Sequence, residues 1–199
     1  GRRFRAVRTT YDRVDAVARE ASVRPDGTVD AVLMDLGVSS LQLDEVSRGF
    51  SYARPAPLDM RMDQGSGSTA QELLESADAA ELAHILRAYG EERFASRIAA
   101  AVVRRREAGQ PVTTTQDLAE LVRQAVPAPA RRSGGHPAKR TFQALRIAVN
   151  AELDVLERAV PRALNSLRVG GRLVVESYQS LEDRVVKRVL NHGATSRAP

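Results

Sequence analysis

The chain has 199 residues, 43% of them apolar and 28% charged, with a formal net charge of +5; that allows one or two domains with a real core and excludes disorder throughout. It contains no cysteine, which excludes disulfides, zinc–thiolate sites and a cysteine nucleophile and fits a cytoplasmic protein. No run of roughly 18 apolar residues occurs and no long apolar stretch follows the basic start Gly1-Arg2-Arg3-Phe4-Arg5, so neither a membrane span nor a signal peptide is expected.

Phe4 to Thr9 alternates weakly and predicts an edge strand. Tyr11 to Ala21 reads as a short helix with Val14 and Val17 on one face, and Pro25-Asp26-Gly27 as a turn. Val29 to Met34 is an apolar run ending at Asp35, the pattern of a buried parallel strand that is polar at its carboxyl end. Residues 37–68 are rich in Gly, Ser, Pro and Asp and predict an extended loop, a length usually reserved for function. Helical patterning follows from Thr69 to Val126. Asp78 with Glu81 predicts a capping box, and Thr114 with Asp117 another; between them Glu91 to Arg106 forms a helix on Phe94, Ile98, Ala101 and Val102. Pro127 to Pro137 reads as a linker. From Thr141 a long amphipathic helix carries Leu145, Val149, Leu153 and Leu156, kinks or restarts at Pro161, and ends at Gly170-Gly171. Arg172 to Ser177 is a second buried strand. Ser180 caps a last helix containing Val185, Val186 and Val189, and the tail from Asn191 frays.

Two parallel-type strands separated by a long helical stretch imply an α/β sheet with an all-helical insertion. The expected division is 1–50 and 141–190 for the sheet domain, 51–140 for the inserted helical domain, and 191–199 for a tail.

Charge is unevenly spread. Residues 41–100 carry 6 basic and 10 acidic side chains, and residues 101–150 carry 9 basic and 3 acidic. The basic groups are Arg104, Arg105, Arg106, Arg123, Arg131, Arg132, Lys139, Arg140 and Arg146. Such a concentration suits a polyphosphate partner, although a solvated arginine-rich surface has the same composition.

Four segments carry candidate chemistry. Asp35-Leu36-Gly37-Val38-Ser39-Ser40 follows the first strand, where an acid faces the ligand crevice of an open α/β sheet and glycine permits a sharp turn; ordinary strand-to-loop turns look alike. In Gln42 to Asp63, Phe50 and Tyr52 are candidates for base stacking and Arg48 and Arg61 for phosphates, or else Arg48, Asp59 and Arg61 pair among themselves and pin the loop. In Thr141 to Glu152, Gln143, Arg146 and Asn150 share a helical face that is either a base reader or a solvated surface. Glu176 to Arg184 leaves the second strand towards the same crevice, or is simply a capped helix start.

Together these segments resemble the bacterial 16S rRNA cytosine-N4 methyltransferase family, the RsmH or MraW family. The resemblance runs from Phe4 to Leu190 and is carried by Asp35 to Ser40, Arg48 to Ser51, Pro57 to Asp63, Gly90 to Phe94, Phe142 to Asn150 and Ser180 to Arg184. It implies a class I, Rossmann-like methyltransferase sheet with an inserted helical domain. It implies S-adenosyl-L-methionine as cofactor and methylation of the exocyclic amine of a decoding-site cytidine on the small ribosomal subunit. Cofactor contacts fall at Tyr11, where Phe is usual, and at Asp35 and Gln42. Leu41 stands in place of the usual Pro, and Tyr178-Gln179 in place of Phe-His, which weakens any mechanism needing a histidine there. The family's glycine-rich cofactor loop and ribose-binding acid are expected before residue 1, so the chain reads as an internal fragment with an incomplete sheet. Gly134-Gly135-His136 spells the loop's tripeptide without a preceding strand and is read as coincidence.

On this basis Asp35, Ser39, Asn150 and Ser177 are the expected catalytic contacts. Arg48, Arg61, Arg104, Arg105, Arg131, Arg132, Lys139, Arg140 and Arg146 are the expected RNA contacts. No metal is expected, and 16S rRNA and a second copy of the chain are the expected partners. The target base has to be unpaired to meet the activated methyl at roughly 3–3.5 Å. The competing expectations are a catalytically silent RNA-binding module and a nucleotide-binding dehydrogenase, the latter disfavoured by the lack of G-x-G-x-x-G after a strand.

Overall fold

The computed structural model describes residues 4–39, 45–131 and 135–195. In chain order the elements are a 3-10 turn Tyr11–Arg13, α1 (Val14–Ala21), β1 (Val29–Asp35), a 3-10 turn Val46–Arg48, α2 (Ala70–Ser76), α3 (Ala79–Gly90), α4 (Ala95–Glu107), α5 (Thr115–Ala125), α6 (Ala128–Arg131), α7 (Lys139–Asn150), α8 (Glu152–Asn165), β2 (Leu167–Glu176) and α9 (Ser180–Thr195). They fall into two compact units, Gly1–Gly37 with Glu152–Pro199, and Val38–Ala151. The chain changes units at 37/38 and 151/152, whereas composition places the divisions at 50/51 and 140/141.

The first unit is built on β1 and β2, which pair in parallel with Leu33 opposite Val174 and Asp35 opposite Glu176. Alternation sends Val32, Met34, Leu173 and Val175 to one face, where they join Leu156, Ala159, Val160 and Ala163 of α8 and Val185 and Val186 of α9 in one cluster. The opposite face is uncovered: Leu33 is 65% and Val174 50% exposed. β2 starts earlier than expected, at Leu167, so Gly170-Gly171 lie inside the strand, at a register shift between Val29 and Ala31, instead of ending a helix. Phe4 to Thr9 is not a strand: among the described residues no strand pairs with it, and the described sheet consists of β1 and β2. α9 continues through Asn191, where fraying was expected to begin, to Thr195, and the rest of the expected tail lies outside the described residues.

Pro161 lies within α8 without ending it. The missing N–H costs helix stability, but Leu156, Ala159, Val160 and Ala163 are buried on both sides of it and hold the helix in place. The interruption falls instead at Ala151, whose left-handed φ of 47° separates α7 from α8.

The second unit is helical around Leu58, Met60, Leu82, Ile98, Leu118 and Leu145. Local signals set three of its helix starts. Thr69 and Glu72 form a capping box on α2, Asp78 caps α3 through the amides of Ala80 and Glu81, and Thr114 and Asp117 form the box predicted for α5. α4 begins at Ala95 rather than Glu91, because Glu91 adopts a left-handed φ of 49° that terminates α3. Where a linker was expected, Ala128–Arg131 forms a short helix. Gly90 is fixed by a close approach: a Cβ there would fall 2.5 Å from the carbonyl oxygen of Arg140, at the start of α7.

Candidate active site

Parallel strands bring their carboxyl ends to the same edge, and here each ends on an acid. Asp35 and Glu176 are register partners, and the amide of Leu36 continues the ladder by donating to the carbonyl of Glu176 at 3.1 Å. By strand alternation the two carboxylates stand on the uncovered face, in line with Leu33 and Val174. Gly37, with φ of 96°, then turns the chain.

The chain leaving β2 is held by one buried acid. Glu182 is only 3% exposed; its carboxylate accepts the backbone N–H of Tyr178 at 3.1 Å and the side-chain amide of Gln179 at 2.9 Å. This anchors the first turn of α9. Ser180 is the first residue of that helix, not a cap before it; the carboxylate near the positive helix end supplies the contact. Ser177 lies between Glu176 and this anchor and is exposed. Tyr178 is 72% exposed, and its hydroxyl sits 3.5 Å from Glu176 Oε2. The negative charge of the Asp35 carboxylate pushes the Tyr178 phenol above its ordinary value, with Glu176 adding to the effect.

Tyr11 donates its hydroxyl to the carbonyl of Glu152 at 3.1 Å. Burial, together with the carboxylates of Glu152, Glu182 and Asp12, pushes this phenol well up, and Arg158 opposes them only in part. It therefore stays a protonated donor at neutral pH.

The other expected contacts lie in the helical unit, where several are held by the fold. Asn150 accepts the amide of Met62 at 2.6 Å and donates to the carbonyls of Met60 and Arg146, each at 2.8 Å. Arg48 donates to the carbonyls of Arg61 and Met62 at 2.9 and 2.7 Å. Arg61 pairs with both carboxylate oxygens of Asp59, at 2.7 and 3.1 Å. The expected ring candidates are also engaged: Phe50 is buried under Arg48, and Tyr52 stacks on His136 at 4.2 Å. Arg105 bonds Asp117 and the carbonyl of Gln110, Arg131 the carbonyl of Val126, and Arg140 that of Glu91. Arg146 is half-buried and partnered, and Ser39 is exposed and also partnered. Arg104 and Lys139 are exposed. Gln42 and Arg132 lie outside the described residues.

Asp35 and Ser177, singled out from the sequence, lie at the strand ends, and Glu176, Tyr178 and Glu182 beside them were not singled out individually. The alternation of β2 was the available signal for Glu176: it shares a face with Val174. Among the described residues no helix is long and apolar enough to cross a membrane.

The model of the MraW methylase family matches residues 1–199. The ribosomal RNA small subunit methyltransferase H of Beutenbergia cavernae is 65% identical over 199 residues, covering all of this chain and 59% of that protein. The proteins of the same name from Mycobacterium avium and Nocardia farcinica are 60% and 57% identical over 197 residues, covering 99% of this chain and 51% and 60% of theirs. The chain thus spans between half and three-fifths of the length of these relatives.

Proposed function

The chain belongs to the MraW methylase family, and from that premise we propose that its protein transfers a methyl group from S-adenosylmethionine to the exocyclic N4 amine of a decoding-site cytidine in 16S rRNA of the small ribosomal subunit. Relatives named ribosomal RNA small subunit methyltransferase H support the substrate class. The observation that carries the reading is the pair Asp35 and Glu176 at the shared carboxyl edge of two parallel strands, the place where open α/β sheets bind ligands.

These residues fit a cationic cofactor. Two exposed carboxylates suit a ligand that carries a sulfonium and an ammonium, and the open ring of Tyr178 beside them suits a cation or a base. When bound, S-adenosylmethionine supplies the activated methyl group. Asp35, Tyr11 and Gln42 hold the cofactor's polar groups in this reading, and Ser39 and Ser177 contact the target base, while the Asn150 carboxamide, committed to Met60, Met62 and Arg146, shapes the loop. The amine's lone pair is delocalised into the ring, so the residues' main task is alignment, with a proton accepted from the amine as the new bond forms.

In the same proposal the sheet belongs to a class I, Rossmann-like methyltransferase domain, and the helical unit is an inserted domain that positions RNA. Exposed Arg104 in the last turn of α4 and exposed Lys139 and Arg140 at the start of α7 supply sequence-independent attraction to phosphates. Arg48 and Arg61 act mainly by shaping the loop that meets the RNA. The proposed setting is the cytoplasm, where small subunits are assembled.

The test is methyl transfer to small subunits, with calorimetric titration of S-adenosylmethionine, for the unsubstituted protein and for Asp35→Ala. The reading expects micromolar cofactor binding that Asp35→Ala weakens, along with lost transfer. Undiminished affinity and transfer in Asp35→Ala would overturn the role of Asp35. RNA binding with no cofactor binding would favour the silent RNA-binding module.

A further inference from the structure

We propose that the turn from Glu91 to Phe94 is the scaffold of an RNA-docking platform, on which Arg87, Arg93, Arg97, Lys139 and Arg140 meet backbone phosphates of the small-subunit rRNA. The inference rests on the RNA-substrate part of the reading above and gives a task to the segment Gly90 to Phe94.

The helical unit brings cations from three helices to this turn. Arg87 lies in the last turn of α3, and its guanidinium donates to Ser96 Oγ in the first turn of α4. Arg93 precedes α4, Arg97 stands in its first turn, and Lys139 and Arg140 open α7. The fold fixes them there. Gly90 leaves no room for a Cβ against the Arg140 carbonyl, and the Arg140 guanidinium donates to the carbonyl of Glu91 at 2.6 Å. The left-handed φ of Glu91, and a bond from the Phe94 amide to the carboxylate of buried Glu92 at 2.9 Å, close the turn. Arg104, on the same face of α4 as Arg97, extends the platform by about 10 Å.

Charge complementarity names the occupant. All five residues are exposed, and among the described residues the Arg97 and Lys139 side chains have no ion pair or hydrogen bond. Glu92 is buried, so exposed Glu91 offsets only one of the five charges from within the turn. The first turns of α4 and α7 contain no acid, although helix dipoles favour one there. Such a surplus repels itself unless a polyanion meets it. Guanidinium groups spread over a rigid surface suit successive phosphates, so the platform supplies affinity and register and not sequence choice. An acidic protein surface is the competing occupant.

The experiment measures binding of the protein to small ribosomal subunits and to protein-free 16S rRNA over a range of KCl concentrations, with thermal midpoints in parallel. The platform predicts that Arg93→Gln with Arg97→Gln weakens binding to both roughly tenfold at low salt. The slope of log affinity against log salt becomes shallower by about one per arginine. Arg93→Lys with Arg97→Lys keeps the slope, and both pairs keep the thermal midpoint. A control pair on the other unit, Arg19→Gln with Lys187→Gln, leaves affinity and slope as they were. Unmoved affinity and slope in the glutamine pair overturn the proposal. A loss seen with subunits and not with protein-free 16S rRNA overturns it in favour of a protein partner. An equal loss in the control pair, a loss that follows a lowered midpoint, or no binding of 16S rRNA by the unsubstituted protein overturns it as well. Methyl transfer by the unsubstituted protein is scored separately: rRNA binding that behaves as predicted with no transfer sinks the methyl-transfer reading and leaves the platform standing.

Discussion

Asn150 donates its side-chain amide to the carbonyl of Met60 at 2.8 Å, across 90 residues of sequence. The same carboxamide accepts the amide of Met62 and donates to the carbonyl of Arg146. Met60 is fully buried with a left-handed φ of 60°, a conformation that costs a non-glycine residue energy and must be held by its surroundings. Asn150 closes the end of α7 and fixes the loop at Met60 in a single contact set.

Replacing Asn150 by alanine therefore strips three hydrogen bonds from part-buried backbone. The expected loss is about 2–3 kcal/mol in urea unfolding. A change within about 0.5 kcal/mol, the range of ordinary surface substitutions, would show that the clasp is dispensable.

The Thr141 hydroxyl has no hydrogen-bond partner, and the residue is 1% exposed. It faces a small cavity also lined by Leu82, Ile98, Leu118 and Leu145. Thr141→Val keeps the shape and removes the unmet polar group, so it is expected to raise stability by about 1 kcal/mol. A drop of that size would instead mean that the hydroxyl is satisfied in solution.

The Arg61 guanidinium bonded to Asp59 holds that carboxyl below the usual carboxylate range, with burial opposing and Gln64 assisting. The folded value is depressed relative to the unfolded one, so the stability it contributes is complete above the unfolded value, about 3.9. It is lost as pH falls through the lower folded value. Urea midpoints of the unsubstituted protein and Asp59→Asn are expected to differ by a constant amount at neutral pH and to converge below about pH 4. A difference that persists undiminished into acid would contradict the ion pair's role.

The sequence made local features legible and left contacts between distant residues hidden. Thr114 with Asp117 could be read as a helix start because both partners lie within one turn. Val29 to Asp35 could be read as a strand because its apolar run ends on an acid. Nothing in the composition of Ala151 announces a left-handed residue, so the helix was read through it and interrupted instead at Pro161, which packing on both sides accommodates. Asn150 was read as a base contact or solvated face, and Arg48 as a phosphate contact or a pin of the loop; their backbone partners, 88 to 90 and 13 to 14 residues away, sit in a loop without periodicity and could not be read. Asp35 was visible as the end of a strand, but its partner Glu176 required the register of a strand far along the chain.

The most direct test of the central claim is to incubate small ribosomal subunits with the protein and methyl-labelled S-adenosylmethionine, then digest the 16S rRNA to nucleosides for mass spectrometry. Label is expected in N4-methylcytidine from the decoding-site fragment and is expected to be lost with Asp35→Ala. Label on another base, on a ring carbon of cytosine, or nowhere in the RNA would contradict it.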